Sequence, residues 1–344
     1  MKAIHSASES EARRWLSEAR AVHVAGTTPE GAPLLRALHT AWVDDAFTFH
    51  GSVRGEKTLW DGRPVVIATE RVVARIPSYF RDPERACPAT TYYLSAQVEG
   101  VVERVVDPDA KARALAALMA RHQPEGGHVP IAADHPLYRS SIDSLWVMRV
   151  VPTRVSGKKK LGQERPVREI ENIVRSLWQR GTTEDLRAID VILDAHPEGP
   201  RPDFLVGPDG TRLCPALGPQ DVSAGVELLR DQYWNVGVDD ARLAAALVGS
   251  SAWVGARNAD GRLVATARAI SDGAKRAEIL DVAVAEPWRG RGVGRRVFEL
   301  LLSHAAVRSV RSVNLRTKDA QSFYARFEFT SARPRNHEMA LVRA

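Results

Sequence analysis

Residues 278–306, EILDVAVAEPWRGRGVGRRVFELLLSHAA, constrain the fold of this chain more than any other stretch. An apolar run ends in a turn where glycines alternate with arginines, and a periodic apolar pattern follows at once, with Val293, Val297, Leu300 and Leu301 on one helical face. Strand, bare turn and helix start are therefore fixed in order. At a helix N-terminus the first amides point outward unpaired and the macrodipole adds about half a positive charge. Such a turn receives anions, phosphate above all. A Walker A loop is excluded because GVGRR lacks Gly-Lys-Ser/Thr. A dinucleotide fingerprint is disfavoured because Arg295 stands where its third glycine belongs and the preceding strands are joined as hairpins. A basic helix start merely capped by glycine is the remaining alternative.

The rest of the chain divides in two. With 344 residues, one core is too few. The first part alternates short apolar runs (AVHVAG, LLRALHTAWV, AFTFHG, PVVIAT, TYYLSAQVEGVVERVV) with turn chemistry, which predicts a β-barrel. Helical patterns are confined to SESEARRWLSEA and residues 107–122, and a last strand runs through 144–155. Residues 166–195 carry two helical patterns, expected as a small appendix to the barrel. The Pro/Gly-rich stretch 196–215 is the candidate linker. Beyond it come two helices, a hairpin turning at Asp260-Gly261, the strand–turn–helix, then SVNLRT as a strand and DAQSFYARF as a helix. The expected fold is a mostly β split barrel with added helices over 1–200, a linker at 201–215, and an α+β domain with a mixed central sheet flanked by helices over 216–344.

Composition excludes several classes. Cys87 and Cys214 are the only cysteines, and neither CxxC nor HExxH spacing occurs, so neither a disulfide framework nor a metal site is expected. No apolar run is long enough to span a bilayer, and the first residues lack the apolar core of a signal peptide. A cytoplasmic protein is expected. The net charge of +6 favours anionic partners, and phosphorylated cofactors account for it as well as nucleic acid does. No helix-turn-helix pattern appears, so nucleic acid is not an expected partner.

Arg289-x-x-Gly292-x-Gly294 after LDVAV resembles the acyl-CoA signature of the GNAT superfamily of N-acetyltransferases, and DAQSFYARFEF (319–329) resembles that family's closing segment. The resemblance covers roughly 208–344. It implies that Val282 and Val284 offer main-chain groups to the pantetheine arm of acetyl-CoA. Arg289, Gly290, Arg291, Gly292, Val293, Gly294 and Arg295 would cradle the pyrophosphate, and Tyr324 would protonate the leaving thiolate. A base for the attacking ammonium is sought in Glu278 or Asp281, which strand alternation places on opposite faces. Glu278 is preferred, since it stands where histone-type members carry their base; a solvated strand-end carboxylate is the alternative for both. LLRDQYWNVGV resembles a subgroup of small bacterial acetyltransferases. Two positions depart from the family pattern: Glu328 replaces a glycine and Thr317 an asparagine. Both bear on turnover more than on CoA binding.

FHGSVRGEK (49–57) places Ser52, Gly55 and Lys57 just beyond a strand, with Arg36 on the strand before it. Hydroxyl, bare backbone and ammonium make an anion pocket, although a solvated basic hairpin reads the same way. Over about 10–165 the pattern resembles the FMN-binding split barrel of pyridoxamine 5'-phosphate oxidase-like proteins. IPSYF (76–80) and GKKKLGQERP (157–166) are nearest the branch of FMN-binding negative transcriptional regulators. The resemblance implies that Arg36 and Lys57 hold the FMN phosphate, that His50, Gly51, Ser52 and Thr69 line the isoalloxazine, and that Gln97, Lys160 and Gln163 complete the site in a homodimer. The expected function is acetyl-CoA-dependent N-acetylation of a small amine by a chain that also binds FMN. The alternatives are a flavin- or acetyl-CoA-responsive regulator and a flavin reductase with a degenerate transferase domain.

Overall fold

In the computed structural model, which describes residues 3–199, 201–333 and 338–342, the alternating apolar residues of the first 160 positions build a curled sheet. Two compact units divide the chain: Met1–Val72 with Tyr92–Leu161, and Val73–Thr91 with Gly162–Ala344.

The first unit runs β1 (Ser6–Ala7), α1 (Glu9–Glu18), β2 (Val22–Thr27), β3 (Pro33–Leu38), β4 (Ala41–Val43), β5 (Ala46–Ser52), β6 (Pro64–Ile76), β7 (Thr90–Val105), α2 (Pro108–His122), α3 (Arg139–Ser144) and β8 (Leu145–Lys160), with the unit boundary falling inside β6 and β7. The strand order is β3-β2-β6-β7-β8-β5-β4, and β1 pairs with β8. Leu34 and Leu38 near one end of that order share a single buried cluster with Phe47 and Phe49 near the other, together with Val24, Ile67, Val98 and Val150 between them. Side chains from distant strands meet only if the sheet curls, which makes it the expected split barrel. α1 closes the cluster with Ala12 and Leu16, and its entry is fixed by a Ser8–Glu11 capping box.

The second unit continues through α4 (Val167–Arg180), α5 (Thr183–Asp194), β9 (Arg212–Cys214), α6 (Val222–Leu229), α7 (Asp240–Val248), β10 (Ala252–Arg257), β11 (Leu263–Ser271), β12 (Arg276–Val284), α8 (Val293–Ser303), β13 (Ser312–Arg316), α9 (Gln321–Ala325), β14 (Thr330–Arg333) and β15 (Glu338–Val342). Its sheet has the order β14-β15-β13-β12-β11-β10-β9. Only the β12–β13 pairing is parallel among the described strands. α6 and α7 cover one face, where Trp253, Leu229, Leu243, Leu247 and Ala283 form one cluster. α8 packs on the other face, where a Cβ on Gly294 would lie 3.1 Å from Val284 Cγ2. The mixed sheet flanked by helices is the expected α+β fold.

Two expectations along the chain are corrected. The helices of 166–195 do not form an appendix to the barrel. The Arg308 guanidinium donates to the Trp178 carbonyl at 3.0 Å, and Gly181, at φ +67°, lies so close to Ala305 that a Cβ would meet that methyl at 2.4 Å. Their buried faces (Ile173, Leu177, Ile189, Ile192) belong to the second unit. The stretch 201–215 is not a free linker either. Leu205 and Leu213 are fully buried and β9 is the sheet's edge strand, paired with β10 from Gly255–Cys214 to Arg257–Arg212. Proline and glycine there shape a packed loop. β14 and β15 extend the sheet beyond the last element read from the sequence. Among the described residues no helix is long and apolar enough to cross a membrane.

Candidate functional site

The glycine–arginine turn is built as its composition demands. After β12 a 3-10 turn (Glu286–Trp288) leads to Gly290 at φ +73° and Gly292 at φ +84°, both in the left-handed region that glycine enters without steric cost. No side chain caps α8. Among the described residues, the amides of 290–295 meet no backbone acceptor, whereas Arg289 N and Arg296 N on either side do. Six N–H groups therefore surround the start of an eleven-residue helix, at the positive end of its dipole. The arginines are each engaged. Arg289 Nε donates to the Val284 carbonyl (3.0 Å), Arg291 faces Asp209 (3.6 Å) and lies over the Trp288 ring, and Arg295 Nε donates to Glu299 (2.8 Å). Arg296 donates to the carbonyls of Asp203 and Val206, which fastens the 203–209 loop beside the turn. Residues 289–295 form this turn, with Asp209, Glu299 and Arg296 as partners that the motif did not name.

Beside the turn, β12 loses one neighbour. Its ladder with β11 reaches Ala265–Val284, but its ladder with β13 stops at Ile279–Leu315. Among the described residues no strand pairs with that edge of β12 from Leu280 to Val284, which leaves an open slot bordered by main-chain groups at Val282 and Val284.

Asp281 breaks the expected alternation. Thr266 pairs with Ala283 and Arg268 with Leu280, so Asp281 and Val282 together oppose Ala267 in a bulge, with Asp281 at φ +51°. The bulge resets the faces, and the expectation that Glu278 and Asp281 point to opposite sides does not hold. The Asp281 carboxylate accepts from Arg268 Nε (2.5 Å) and from Trp234 Nε1 (2.9 Å) on the α6–α7 face. Glu278 pairs with Ile270, two residues beyond Arg268, and so shares that face. The two carboxylates nonetheless differ. Arg268 and Asp281 are both nearly buried, whereas Glu278 is exposed and makes no hydrogen bond or ion pair among the described residues.

Tyr324 sits on α9 in an aromatic cluster with Phe298, Phe323 and Phe329. Burial foremost, with Tyr233 and Asp319 beside it, pushes its phenol up to about 12. Its hydroxyl hydrogen-bonds to no described residue. Tyr233 Oη accepts from Lys318 N (3.4 Å), and the neighbouring Trp234 holds Asp281, so the QYW turn joins the tyrosine side of the slot to the carboxylate side. Sequence reasoning marked that turn as a resemblance without giving it a role, and it missed Arg268. The two departures from the family pattern fit their places. Thr317 Oγ1 accepts from Ala320 N (3.0 Å) and shapes the entry to α9, and Glu328 takes φ +66°, the conformation a glycine would hold.

In the first unit, a 3-10 turn (Glu56–Trp60) follows β5 and puts Lys57 against it. Lys57 Nζ donates to the His50 carbonyl (2.8 Å), and a Cβ on Gly51 would lie 3.2 Å from Lys57 Cε. Desolvation lowers the Lys57 pKa. Desolvation also lowers that of His50, helped by the charges of Lys57 and His122. Arg36, on β3, is ion-paired with Glu56. Arg36, His50, Gly51, Ser52 and Lys57 thus gather about this turn, with Glu56 as an unforeseen competitor for any anion. The other three named residues of this unit are dispersed. Thr69 lines a separate cavity of about 420 Å³ with Trp15, Arg20 and Leu94. Gln97 and Lys160 lie on the outer face of the β7–β8 ladder, opposite the buried Ala96 and Val98. Gln163 falls in the second unit. Among the described residues no cluster of three or more His, Cys, Asp or Glu is arranged to hold a metal ion.

Fold and site together define a two-domain protein in which a split β-barrel precedes an α+β domain with an amide-lined turn. Family models match both parts: pyridoxamine 5'-phosphate oxidase over residues 8–159 and the acetyltransferase (GNAT) family over 224–329. The chain belongs to the GNAT acetyltransferases through its second part and carries a pyridoxamine 5'-phosphate oxidase-like domain in its first. A putative GNAT-family acetyltransferase from Xanthomonas campestris is 31% identical, with 36% of this chain and 87% of that one covered and a TM-score of 0.33. The FAD and heme binding protein from Mycobacterium smegmatis is 19% identical, covering 44% of this chain and 71% of that one with a TM-score of 0.37. A putative 5-nitroimidazole antibiotic resistance protein from Bacteroides thetaiotaomicron is also 19% identical (44% and 83% covered, TM-score 0.35). No curated protein is significantly similar to the chain.

The conformation of Glu328 gives a stability prediction. A non-glycine residue in the left-handed region costs about 1–2 kcal/mol, and glycine returns part of the relief through its freer unfolded chain. Glu328→Gly should therefore stabilise the protein by about 0.5–1 kcal/mol in denaturant melts, while Glu328→Ala, which keeps the strain, should gain nothing.

Proposed function

We propose that this protein is an acetyl-CoA-dependent N-acetyltransferase of a small amine, and that its barrel holds FMN. The observation that carries the first statement is the set of six unpaired amides at 290–295, opening onto the unpartnered edge of β12. A pyrophosphate fits such a turn because each amide donates without rearrangement, and glycine at 290 and 292 lets the anion approach the backbone. An extended pantetheine arm fits the slot as a strand would, bonding main-chain groups at Val282 and Val284, where the Val284 carbonyl already accepts from Arg289 Nε.

The chemistry follows from what lies at the end of the slot. Glu278, exposed and uncommitted, takes a proton from the substrate ammonium. The free amine then attacks the thioester carbonyl, the carbon–sulfur bond breaks as the thiolate receives a proton from Tyr324, and the second proton shed by the attacking nitrogen as the amide forms restores the phenol. Asp281 has both oxygens occupied by Arg268 and Trp234, so it is the positioning residue that keeps the bulge open. Thr317 and Glu328 preserve the local backbone, which supports turnover over a degenerate site. The experiment is direct: acetyl-CoA titration and amine acetylation with wild type and variants. Gly292→Asp, which puts a carboxylate in the cradle, should abolish acetyl-CoA binding while the fold survives; unchanged affinity would sink the assignment.

Tyr324→Phe should lower kcat by about 100-fold or more with little change in acetyl-CoA affinity, as expected for loss of a general acid. Because the phenol is pushed up to about 12, it stays protonated through pH 10, and the loss should be equal from pH 7 to pH 10. An unchanged kcat in the variant, with chemistry shown to be limiting, would remove Tyr324 from this role, and an alkaline limb below pH 10 that vanishes in the variant would place its phenol lower than this.

For the barrel, the support is a desolvated lysine packed against Gly51 with Arg36 within reach of the same turn. Lys57→Ala should weaken FMN about ten- to a hundredfold and leave riboflavin nearly unaffected, since only the phosphate meets the ammonium. Glu56→Gln should do the reverse and tighten FMN, because it frees Arg36. Flavin fluorescence titration reads both. Equal weakening of FMN and riboflavin by Lys57→Ala would overturn the phosphate assignment.

A further inference from the structure

At the opposite end of α8 from the amide-lined turn, about 16 Å away at 1.5 Å per residue, lies a second concavity of the same unit. Its volume is about 300 Å³, at the lower end of the range for small-ligand sites. The N-terminal turn of α5, the C-terminal end of α7, the start of β10 and the residues after α8 enclose it. Leu186, Leu217, Leu247 and Trp253, all buried, supply apolar walls, and the Trp253 indole N–H is already bonded to Thr266.

Three polar side chains in this lining are unspent: His304, Arg187 and Thr183, whose exposed hydroxyl bonds to no described residue. His304 is 4% exposed, and its Nδ1 accepts the Ala306 amide at 3.1 Å. Burial, with Arg308 nearby, pushes its pKa down to about 4, so at neutral pH the ring is uncharged and carries its proton on Nε2. Nε2 bonds to no described residue. Arg187, on the exposed side of α5, forms no hydrogen bond or ion pair with any described residue. The serines at the rim are committed: Ser250 Oγ donates to the Ala246 carbonyl, and Ser251 Oγ bonds the backbone of Ser271. No aspartate or glutamate lines the space.

We propose that this concavity is a binding site for a small monocarboxylate bearing a compact hydrocarbon group, with the carboxylate on Arg187 and His304 Nε2–H and the hydrocarbon against Leu217, Leu247 and Trp253. Arg187 and His304 Nε2–H can only donate and the Thr183 hydroxyl can donate as well, so an accepting head satisfies all three; one cation in the lining without a second matches a single negative charge rather than a phosphate dianion. The absence of lining carboxylates disfavours an amine. His304 Nε2–H has no acceptor among the described residues, and a carboxylate oxygen supplies a charge-assisted one.

The test titrates the full chain with 4-methylpentanoate and with phenylacetate by calorimetry, using 4-methylpentan-1-ol as the uncharged counterpart. At least one carboxylate should bind saturably, and the alcohol should bind about tenfold more weakly or worse. Arg187→Gln should lose about tenfold of the carboxylate affinity and none of the acetyl-CoA affinity, which serves as the fold control. Arg242→Gln, an exposed arginine outside the cavity, should change neither. No saturable binding of either carboxylate, equal affinity for acid and alcohol, or an unaltered Arg187→Gln variant would each overturn the proposal.

Discussion

The second unit is organised by the point where β12 parts from β13. Their parallel ladder ends at Ile279–Leu315, and two residues later Asp281 adopts a left-handed backbone that pushes an extra residue into the strand. A non-glycine residue there is strained, and it persists because its carboxylate is held from two directions, by Arg268 and Trp234. Arg268 also reaches the Ala246 carbonyl on α7 (3.5 Å), so the bulge is tied to the helix layer that covers it. Without the bulge β12 would keep its alternation, and Glu278 would not share a face with the Asp281 carboxylate. The open edge of β12 and the bulge thus lie side by side, just beyond the exposed Glu278.

How much of this was legible in the sequence depended on whether the cause was local. The glycines of 289–295 could be read because left-handed backbone and close approach leave glycine as the default residue, and the helix that follows carries its own periodicity. Arg295–Glu299 was readable in principle as a pair four residues apart. The bulge was not readable: DVAV alternates perfectly, and the slip is imposed by residues 13 and 47 positions away. Distance also hid the docking of 166–195, whose amphipathic helices announced an apolar face but not the surface that covers it. In 201–215, proline and glycine signalled irregular backbone, and irregular backbone was taken for free backbone. Leu205, Leu213 and Cys214 are the residues that argue otherwise, through burial.

The barrel shows the same division. Strand count and the FHGSVRGEK turn were legible because alternation and turn residues are local. Lys57 was identified as a cation beside a bare strand end, and it is one, packed on Gly51. What composition could not supply was register. Gln97 belongs to the outer face of β7 because Ala96 and Val98 fill the inner one, and a shift of one residue would have reversed it. Nor could it foresee that Glu56, adjacent to Lys57, would engage Arg36 from across the turn.

The distribution of charge in the candidate acetyl-CoA turn carries one further consequence. The chain has a net charge of +6, and the turn is dense in arginine, which invites crediting the attraction of anions to those side chains. Yet Arg291, Arg295 and Arg296 each face a carboxylate, Asp209 or Glu299, so much of their field is compensated close by. Side chains exposed to water are also screened over about 8–10 Å at ordinary ionic strength. The amides of 290–295 meet no acceptor among the described residues. Their partial charges are fixed by the backbone, and the orientation was settled when Gly290 and Gly292 took positive φ. In the proposed acetyl-CoA site the contacts would therefore rest on backbone geometry, with the arginines holding the loop in shape: Arg289 through Val284 and Arg296 through Asp203 and Val206. Affinity for an anion at such a site should depend less on salt than the number of arginines suggests, because the donors that contact it carry no net charge.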